Sequence, residues 1–165
     1  MDTGCTLPFG DGEYHFWLGL EQAIELERLA ETPVAELEVQ LRMATRITPE
    51  GAFEYIGGGP GANIVRHIIR LGLIGGNNGI VDGDEAEVGP ARAKALIAAY
   101  VWPARPMAEA IAVAATIVFA AVWGIDLKKK QQLDDAEAEE ARSSSTREPS
   151  STTAESSDST GEEQA

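Results

Sequence analysis

The sequence is poor in the residues that bind metals and form covalent cross-links. It contains one cysteine, Cys5, and two histidines, His15 and His67. A single thiol cannot form an internal disulfide, and a structural zinc site needs four converging nitrogen or sulfur ligands. Neither histidine has a cysteine or a second histidine close to it in sequence. We therefore expect no metal site, and one cysteine fits a reducing cytoplasm.

Basic residues are also scarce. Lysine and arginine total 13 against 27 aspartates and glutamates, which gives a formal net charge of −14. Counted separately, residues 1–126 carry 17 acidic and 8 basic side chains, and residues 127–165 carry 10 and 5. Binding to nucleic-acid phosphates requires clustered lysines and arginines that displace counterions. The composition therefore argues against a nucleic-acid partner and favours a surface that stays soluble by repelling like-charged chains.

Catalytic and cofactor-binding motifs are missing from the sequence. It contains neither GxSxG nor HExxH. The glycine run GGGPG at 57–61 lacks the lysine and hydroxyl residue of a phosphate-binding loop, and the acidic segment at 82–87 lacks the full spacing of a calcium loop. We predict no enzyme, no catalytic residues and no cofactor. We therefore interpret residues 57–61 as a flexible break between helices and residues 77–88 as a solvent-exposed loop.

Hydrophobic spacing predicts a mainly α fold with an N-terminal β-hairpin. Cys5–Phe9 and Glu13–Trp17 are typical of two short strands, and Gly10-Asp11-Gly12 between them can form a tight turn. Pro8 cannot donate a ladder hydrogen bond, which places its strand at a sheet edge. Such a hairpin is marginal alone and should pack on the four to five helices that follow.

Apolar residues that recur every three or four positions predict the helices. The predicted segments are Leu18–Ala30, one that begins at Thr32-Pro33, Ala62–Ile74, Pro90–Trp102 and Met107–Val122. A further helix start signal occurs at Thr48-Pro49-Glu50. Gly75-Gly76 should end the third segment, because glycine accepts the left-handed geometry of a helix stop.

The composition changes after Asp126. Residues 131–165 are rich in Gln, Glu, Ser, Thr and Asp, and their only large apolar residue is Leu133. Such a segment cannot bury enough apolar area to offset the loss of backbone entropy. We therefore predict one helical domain at 1–126 and a disordered acidic tail at 127–165.

One segment requires a test for membrane insertion. Ala110–Ile125 has no charged residue over 16 positions. As a helix it would span roughly 24 Å, against a hydrocarbon core of about 30 Å. We therefore favour a buried core helix in a cytoplasmic protein that has no signal peptide. The alternative is a small membrane-associated protein with a single helix at 108–126 and a disordered cytoplasmic tail.

Three blocks of sequence resemble the tail assembly chaperones of phages and gene transfer agents. They are FWLGLEQAIELERL at 16–29, HIIRLGLIGG at 67–76, and the stretch 93–124, which contains RPMAEAIAVA at 105–114. The resemblance covers residues 9–126, and its middle block is the most specific. The segments 56–63 and 77–88 and the tail 127–165 depart from shorter members of that family.

The resemblance implies a non-enzymatic protein that binds the tape measure protein, keeps its hydrophobic helices soluble and helps tail tube subunits to gather on it. An apolar groove between helices would receive an amphipathic helix of the partner. The last helix has more apolar surface than one small core requires. We therefore predict that the groove is formed by Tyr100, Trp102, Ile111, Ile117 and Phe119.

Overall fold

The structure is a computed structural model that describes residues 1–125. The tail predicted at 127–165 lies outside the described residues. The elements in chain order are β1 (Gly4–Phe9), β2 (Gly12–Trp17), α1 (Leu20–Ala30), α2 (Val34–Ala44), β3 (Thr45–Ile47), β4 (Phe53–Tyr55), α3 (Ala62–Gly76), β5 (Asn78–Val81), β6 (Asp84–Glu87), α4 (Pro90–Tyr100) and α5 (Met107–Trp123). Each of the five predicted helical segments is a helix, with ends that differ by a few residues.

The N-terminal hairpin is confirmed. β1 and β2 pair antiparallel, with Cys5 opposite Phe16 and Phe9 opposite Gly12. Gly10 has a φ of 61° in the turn, a left-handed conformation that favours glycine. Phe16 is fully buried, so this face of the hairpin belongs to the core.

The hairpin is half of a larger sheet, which corrects the mainly α prediction to a mixed α and β fold. Four antiparallel strands run in the order β1-β2-β5-β6, so β1, which contains Pro8, lies at an edge as predicted. The solvated loop predicted at 77–88 was wrong, because β5 and β6 form a second hairpin there. Gly79 permits this pairing, since a Cβ at that position would lie 2.5 Å from the Tyr14 ring.

A second, two-stranded sheet joins α2 to α3. β3 and β4 pair antiparallel, and the Gly51 amide donates to the Thr48 carbonyl oxygen at 2.9 Å in the turn between them. The helix start predicted at Thr48-Pro49-Glu50 was therefore wrong. Threonine and proline also favour turns, and here a turn is what they form.

The helix α5 packs against most of the other elements of the domain that the structure describes. It buries seven of its 17 residues, namely Ala110, Ile111, Ala114, Ala115, Ile117, Val118 and Ala120. It contacts α2, α3, β1 and β4. Small alanines alternate with larger residues along it, so several neighbours can pack closely around one helix. In the part of the chain that the structure describes, none of the helices has both the length and the apolar character needed to cross a membrane.

Candidate partner-binding surface

The five residues predicted for the groove have different environments. Ile111 and Ile117 are each only 2% exposed and pack in the core, so their side chains are not available to a partner of the folded chain. Phe119 is half-buried, with its ring centroid 5.5 Å from that of Phe53 on β4. Tyr100 is half-buried, and Trp102 is 44% exposed in the turn that joins α4 to α5. The accessible part of the prediction therefore lies near this turn.

Tyr100 forms one wall of an open cleft, which we call the hairpin–α5 cleft. It lies between the turn of the β1–β2 hairpin and the first turns of α5 and has a volume of about 380 Å³. Its lining residues are Pro8, Phe9, Gly10, Gly12, Tyr100, Arg105, Glu109, Ala110 and Val113. Most of these side chains are apolar, and Arg105 and Glu109 supply one cation and one anion.

Aromatic packing fixes the position of the Tyr100 wall. The Phe9 ring meets those of Tyr14, Phe16 and Tyr100 edge to face, with centroid separations of 6.3, 5.7 and 6.3 Å. Edge-to-face contacts place the positive ring edge against a negative ring face. A Cβ at position 10 would lie 2.5 Å from the Tyr100 ring, so glycine is required where the hairpin turn meets α4.

Arg105 is the main charged group of the cleft. Its guanidinium carbon lies 5.8 Å from the centroid of the Tyr100 ring, within the range of a cation–π contact. Its Nη1 atom lies 3.9 Å from Oε2 of Glu109, which is four residues further along the chain in the first turn of α5. Both side chains are more than half exposed, so this ion pair contributes little stability and is free to exchange for contacts with a partner.

A polar cluster beside the cleft fastens the hairpin turn to α4. The Tyr14 hydroxyl donates to Oδ1 of Asp11 at 2.5 Å. Nη2 of Arg92 donates to Oδ2 of Asp11 at 2.7 Å and to the Tyr14 hydroxyl oxygen at 3.0 Å. The Tyr14 hydrogen bond, together with the nearby Arg92 charge, holds the pKa of Asp11 below its ordinary value. The cluster joins residues 81 positions apart in sequence.

Of the five residues predicted for the groove, Tyr100 lines the cleft and Trp102 does not, and sequence reasoning missed the hairpin side of the cleft. Phe9 and Pro8 come from a strand about 90 residues away, and no local pattern connects them to α5. Arg105 and Glu109 are four residues apart, but Arg105 precedes α5, so the spacing rule for one helix face could not have predicted their ion pair. Both also lie inside the block RPMAEAIAVA.

The cleft offers packing and charge contacts and no reactive group. Its side chains include no paired nucleophile and base of the kind that covalent catalysis requires. Within residues 1–125, no group of three or more histidines, cysteines, aspartates or glutamates is placed to hold a metal ion. What this geometry can do is accept large apolar side chains and one charged side chain of either sign.

Comparison with known proteins identifies no relative of this chain. No protein-family model, no curated protein and no solved structure matches the chain.

Proposed function

We propose that the chain is a non-enzymatic assembly chaperone of phage or gene transfer agent tails, which binds the tape measure protein in the host cytoplasm and helps tail tube protein to assemble on it. The observation that carries the proposal is the hairpin–α5 cleft, an open concavity of mixed polarity in which Phe9, Tyr100 and Val113 lie beside Arg105 and Glu109, with the exposed Trp102 in the adjoining turn. The assignment to tail assembly rests on the sequence blocks at 16–29, 67–76 and 93–124, which resemble those of tail assembly chaperones.

In this proposal the partner contributes an amphipathic helix. One or two of its large apolar side chains enter the cleft against Phe9, Tyr100 and Val113, and the exposed Trp102 in the adjoining turn is available for a further contact. Aromatic and arginine side chains are common anchors of such contacts. The contact area is small, so binding is reversible, as release of the client during tail assembly requires.

The acidic surface has a part in the same mechanism. A formal charge of −14 keeps the loaded chaperone soluble and repels other copies of the complex. The membrane-associated alternative has less support, because α5 packs seven of its 17 residues into the core of the described domain.

The proposal predicts a tape measure protein in a neighbouring reading frame, and the test is co-expression of that protein with the tagged full chain. We expect Trp102→Ser and Arg105→Glu each to weaken binding by about 10-fold, a typical effect for a residue within an interface hot spot. The matched control is Trp123→Ser, which alters a tryptophan that is 58% exposed at the other end of α5. Position 123 lies ten residues beyond Val113, or about 15 Å along the helix.

Circular dichroism and the melting temperature should show that all three variants remain folded. If both Trp102→Ser and Arg105→Glu bind the tape measure protein as well as the unmodified chain does, neither the cleft nor the turn beside it is the binding site. If the unmodified chain fails to bind that protein, the proposed function itself is wrong.

A further inference from the structure

The four-stranded sheet buries only one of its two sides within the residues that the structure describes. Tyr14 and Phe16 of β2 are fully buried, and successive side chains of a strand point to opposite sides of a sheet. Glu13 and Trp17, which point to the other side, are exposed. We call that side, with Glu13, Trp17 and the residues in register with them, the outer sheet face. Its exposed side chains leave it open to a partner.

Strand register places an apolar side chain between two carboxylates on the outer sheet face. Ile80 of β5 lies opposite Glu13 of β2 on one side and opposite Glu85 of β6 on the other. Neighbouring strands are about 4.8 Å apart, so β2 and β6 are about 10 Å apart with Ile80 midway. The Ile80 side chain is 49% exposed, and both glutamates are exposed. Glu87, two residues beyond Glu85, is also exposed and points to the same side.

No cation accompanies these carboxylates in the part of the chain that the structure describes. The strands β1, β2, β5 and β6 contain neither lysine nor arginine. Glu13, Glu85 and Glu87 take part in none of the salt bridges formed among residues 1–125. The outer sheet face therefore combines an exposed isoleucine with three negative charges that no described side chain neutralises.

The lysines at 128–130 of the same chain are too close to the end of the domain to flank Ile80. They follow Ile125, whose backbone pairs with that of Asp2. The position on β1 that faces Glu13 is six residues beyond Asp2, or about 20 Å along the strand. Five residues of extended chain span at most about 18 Å, and the row then continues across two further strands. Two of these lysines therefore cannot reach both sides of Ile80.

The other occupants that the chain itself could supply also fit poorly. The two remaining basic residues of 127–165, Arg142 and Arg147, each have a glutamate within two positions, so neither belongs to a segment of net positive charge. A second copy brings a further formal charge of −14. Two outer sheet faces packed together would also place carboxylates against carboxylates, which is unfavourable. The charge of this face therefore selects a basic segment of a different protein.

We propose that the outer sheet face docks a basic helix of another protein, which lies across the strands. Two of its lysines or arginines, seven residues apart, contact Glu13 and Glu85, and an apolar side chain midway between them packs on Ile80. Seven residues of helix rise about 10.5 Å, which matches the separation of about 10 Å between β2 and β6. The site is distinct from the hairpin–α5 cleft and does not depend on the tape measure assignment.

The spacing of the row favours a helix over an extended segment. Helix residues separated by three, four and seven positions share one face. In an extended chain, residues three positions apart span about 10 Å but point to opposite sides, so they cannot contact both glutamates. Exposed ion pairs contribute mainly register and attraction at a distance, so the contact should be weak and sensitive to salt.

Two synthetic helical peptides of identical composition test the proposal against the full chain. The first has lysines seven positions apart and leucines midway between them on one face, and in the second the lysines are moved off that face. We expect the first to bind about 5-fold more tightly in fluorescence anisotropy, with an affinity that falls as salt is added. Ile80→Ser should weaken its binding by about 5-fold. The control Ile47→Ser changes an isoleucine that is 59% exposed on β3 and should leave binding unchanged.

Charge variants separate this site from general attraction between a basic peptide and an acidic protein. Glu13→Gln with Glu85→Gln should weaken binding and reduce its salt dependence. Glu21→Gln with Glu36→Gln removes the same charge from exposed positions on α1 and α2 and should have a smaller effect. Glu13→Lys with Glu85→Lys should reverse the preference, so that this variant binds a peptide with glutamates in place of the two lysines. Melting temperatures should show that each variant is folded.

Equal affinity of the unmodified chain for the two lysine peptides would overturn the proposal, as would binding that is unaffected by the changes at Ile80, Glu13 and Glu85. A dimer in sedimentation that Ile80→Ser dissociates would assign the face to a second copy instead. If changing the lysines at 128–130 to glutamine raised the affinity for the peptide, the face would belong to the chain's own C-terminal segment.

Discussion

A β-carbon at position 76 would lie 1.8 Å from the carbonyl oxygen of His15, because the last turn of α3 runs directly against β2. At Gly75, one residue earlier, it would lie 2.0 Å from the carbonyl oxygen of Trp17. Both distances are far inside van der Waals contact. The two glycines therefore permit two backbones to touch. The left-handed stop of the helix is made by Asn77, whose φ is 50°, and not by Gly75-Gly76 as predicted from the sequence.

Gly76→Ala should therefore be strongly destabilising. The added methyl group meets backbone atoms of β2, which cannot move aside as a flexible side chain would. We expect the free energy of unfolding to fall by about 3 kcal/mol or more, the upper end of the range for overpacking. Urea denaturation followed by circular dichroism measures it. Gly61→Ala is the control, because open space surrounds that position, and it should cost less than about 1 kcal/mol. Equal effects of the two changes would contradict the close approach of α3 to β2.

The sequence was sufficient to locate the helices and the first hairpin, because their apolar residues repeat with the period of the element. It was insufficient for β5 and β6. The segment Asp84–Glu87 is three-quarters acidic, and Asn78–Val81 begins with the poor strand formers Asn and Gly. These residues form strands because β5 pairs with the edge of β2 that β1 leaves free, with Glu13 opposite Ile80. That edge exists only in the folded sheet, so the local sequence of residues 78–87 does not predict it.

The groove predicted from the sequence and the hairpin–α5 cleft share only Tyr100, for a related reason. Ile111 and Ile117 belong to an apolar run, and such a run does not reveal whether its residues face the chain's own core or a partner. The structure buries both. The cleft beside Tyr100 depends on Phe9 and Pro8, which the tertiary fold, and no local sequence pattern, brings next to α5.

The contact between Tyr14 and Arg92 supports the second prediction. The Tyr14 hydroxyl is hydrogen bonded to both Asp11 and Arg92, so Tyr14→Phe leaves two charged groups without one of their partners. We expect a loss of about 1–2 kcal/mol in the free energy of unfolding. Tyr55→Phe is the matched control, since its hydroxyl has no hydrogen bond to any of residues 1–125, and it should change stability by less than about 0.5 kcal/mol.

A double-mutant cycle with Arg92→Met checks that the effect passes through this contact. The double variant should be less destabilised than the sum of the two single variants, because either change alone already breaks the Tyr14–Arg92 hydrogen bond. Strict additivity would show that the two side chains act independently. The polar cluster would then not be what fastens the hairpin turn to α4.

Acid denaturation supplies a third prediction. The Tyr14 hydrogen bond and the Arg92 charge lower the pKa of Asp11 from 3.8 in the folded chain. At pH values just under 3.8 the unfolded chain thus binds more protons at this carboxyl than the folded chain does. The stability that Asp11 contributes is complete above pH 3.8 and is lost as the pH falls through its folded pKa.

We therefore expect Asp11→Asn to lose less stability than the unmodified chain when the pH is lowered from about 5 to about 2, the range in which such a carboxyl titrates. Urea midpoints measured at several pH values give the comparison. Tyr14→Phe removes the largest cause of the lowered pKa, so its profile should lie between those of the other two proteins. Parallel profiles for all three would show that Asp11 has the same pKa in the folded and unfolded states.

The thiol of Cys5 gives the last prediction. Its side chain faces the core from β1 and is only 7% exposed. Burial, and second the charge of Asp2, raise its pKa from 9.0 to about 12. The thiolate is the species that attacks a disulfide reagent. Raising the pKa from 9.0 to about 12 lowers the fraction of Cys5 present as thiolate at pH 8 by about 1,000-fold, and the limited access of the reagent to a buried thiol slows the reaction further.

Native chain at pH 8 should therefore react with an aromatic disulfide reagent at least about 100-fold more slowly than chain unfolded in urea. Adding sub-denaturing urea should raise the rate in proportion to the population in which β1 has left the sheet, because only that population exposes the thiol. Gly76→Ala should then react faster than Gly61→Ala without urea, since the former weakens the packing of α3 against the strand that pairs with β1. A native rate equal to the unfolded rate would mean that the β1 edge opens freely. In that case the Phe9 wall of the hairpin–α5 cleft would not be preformed.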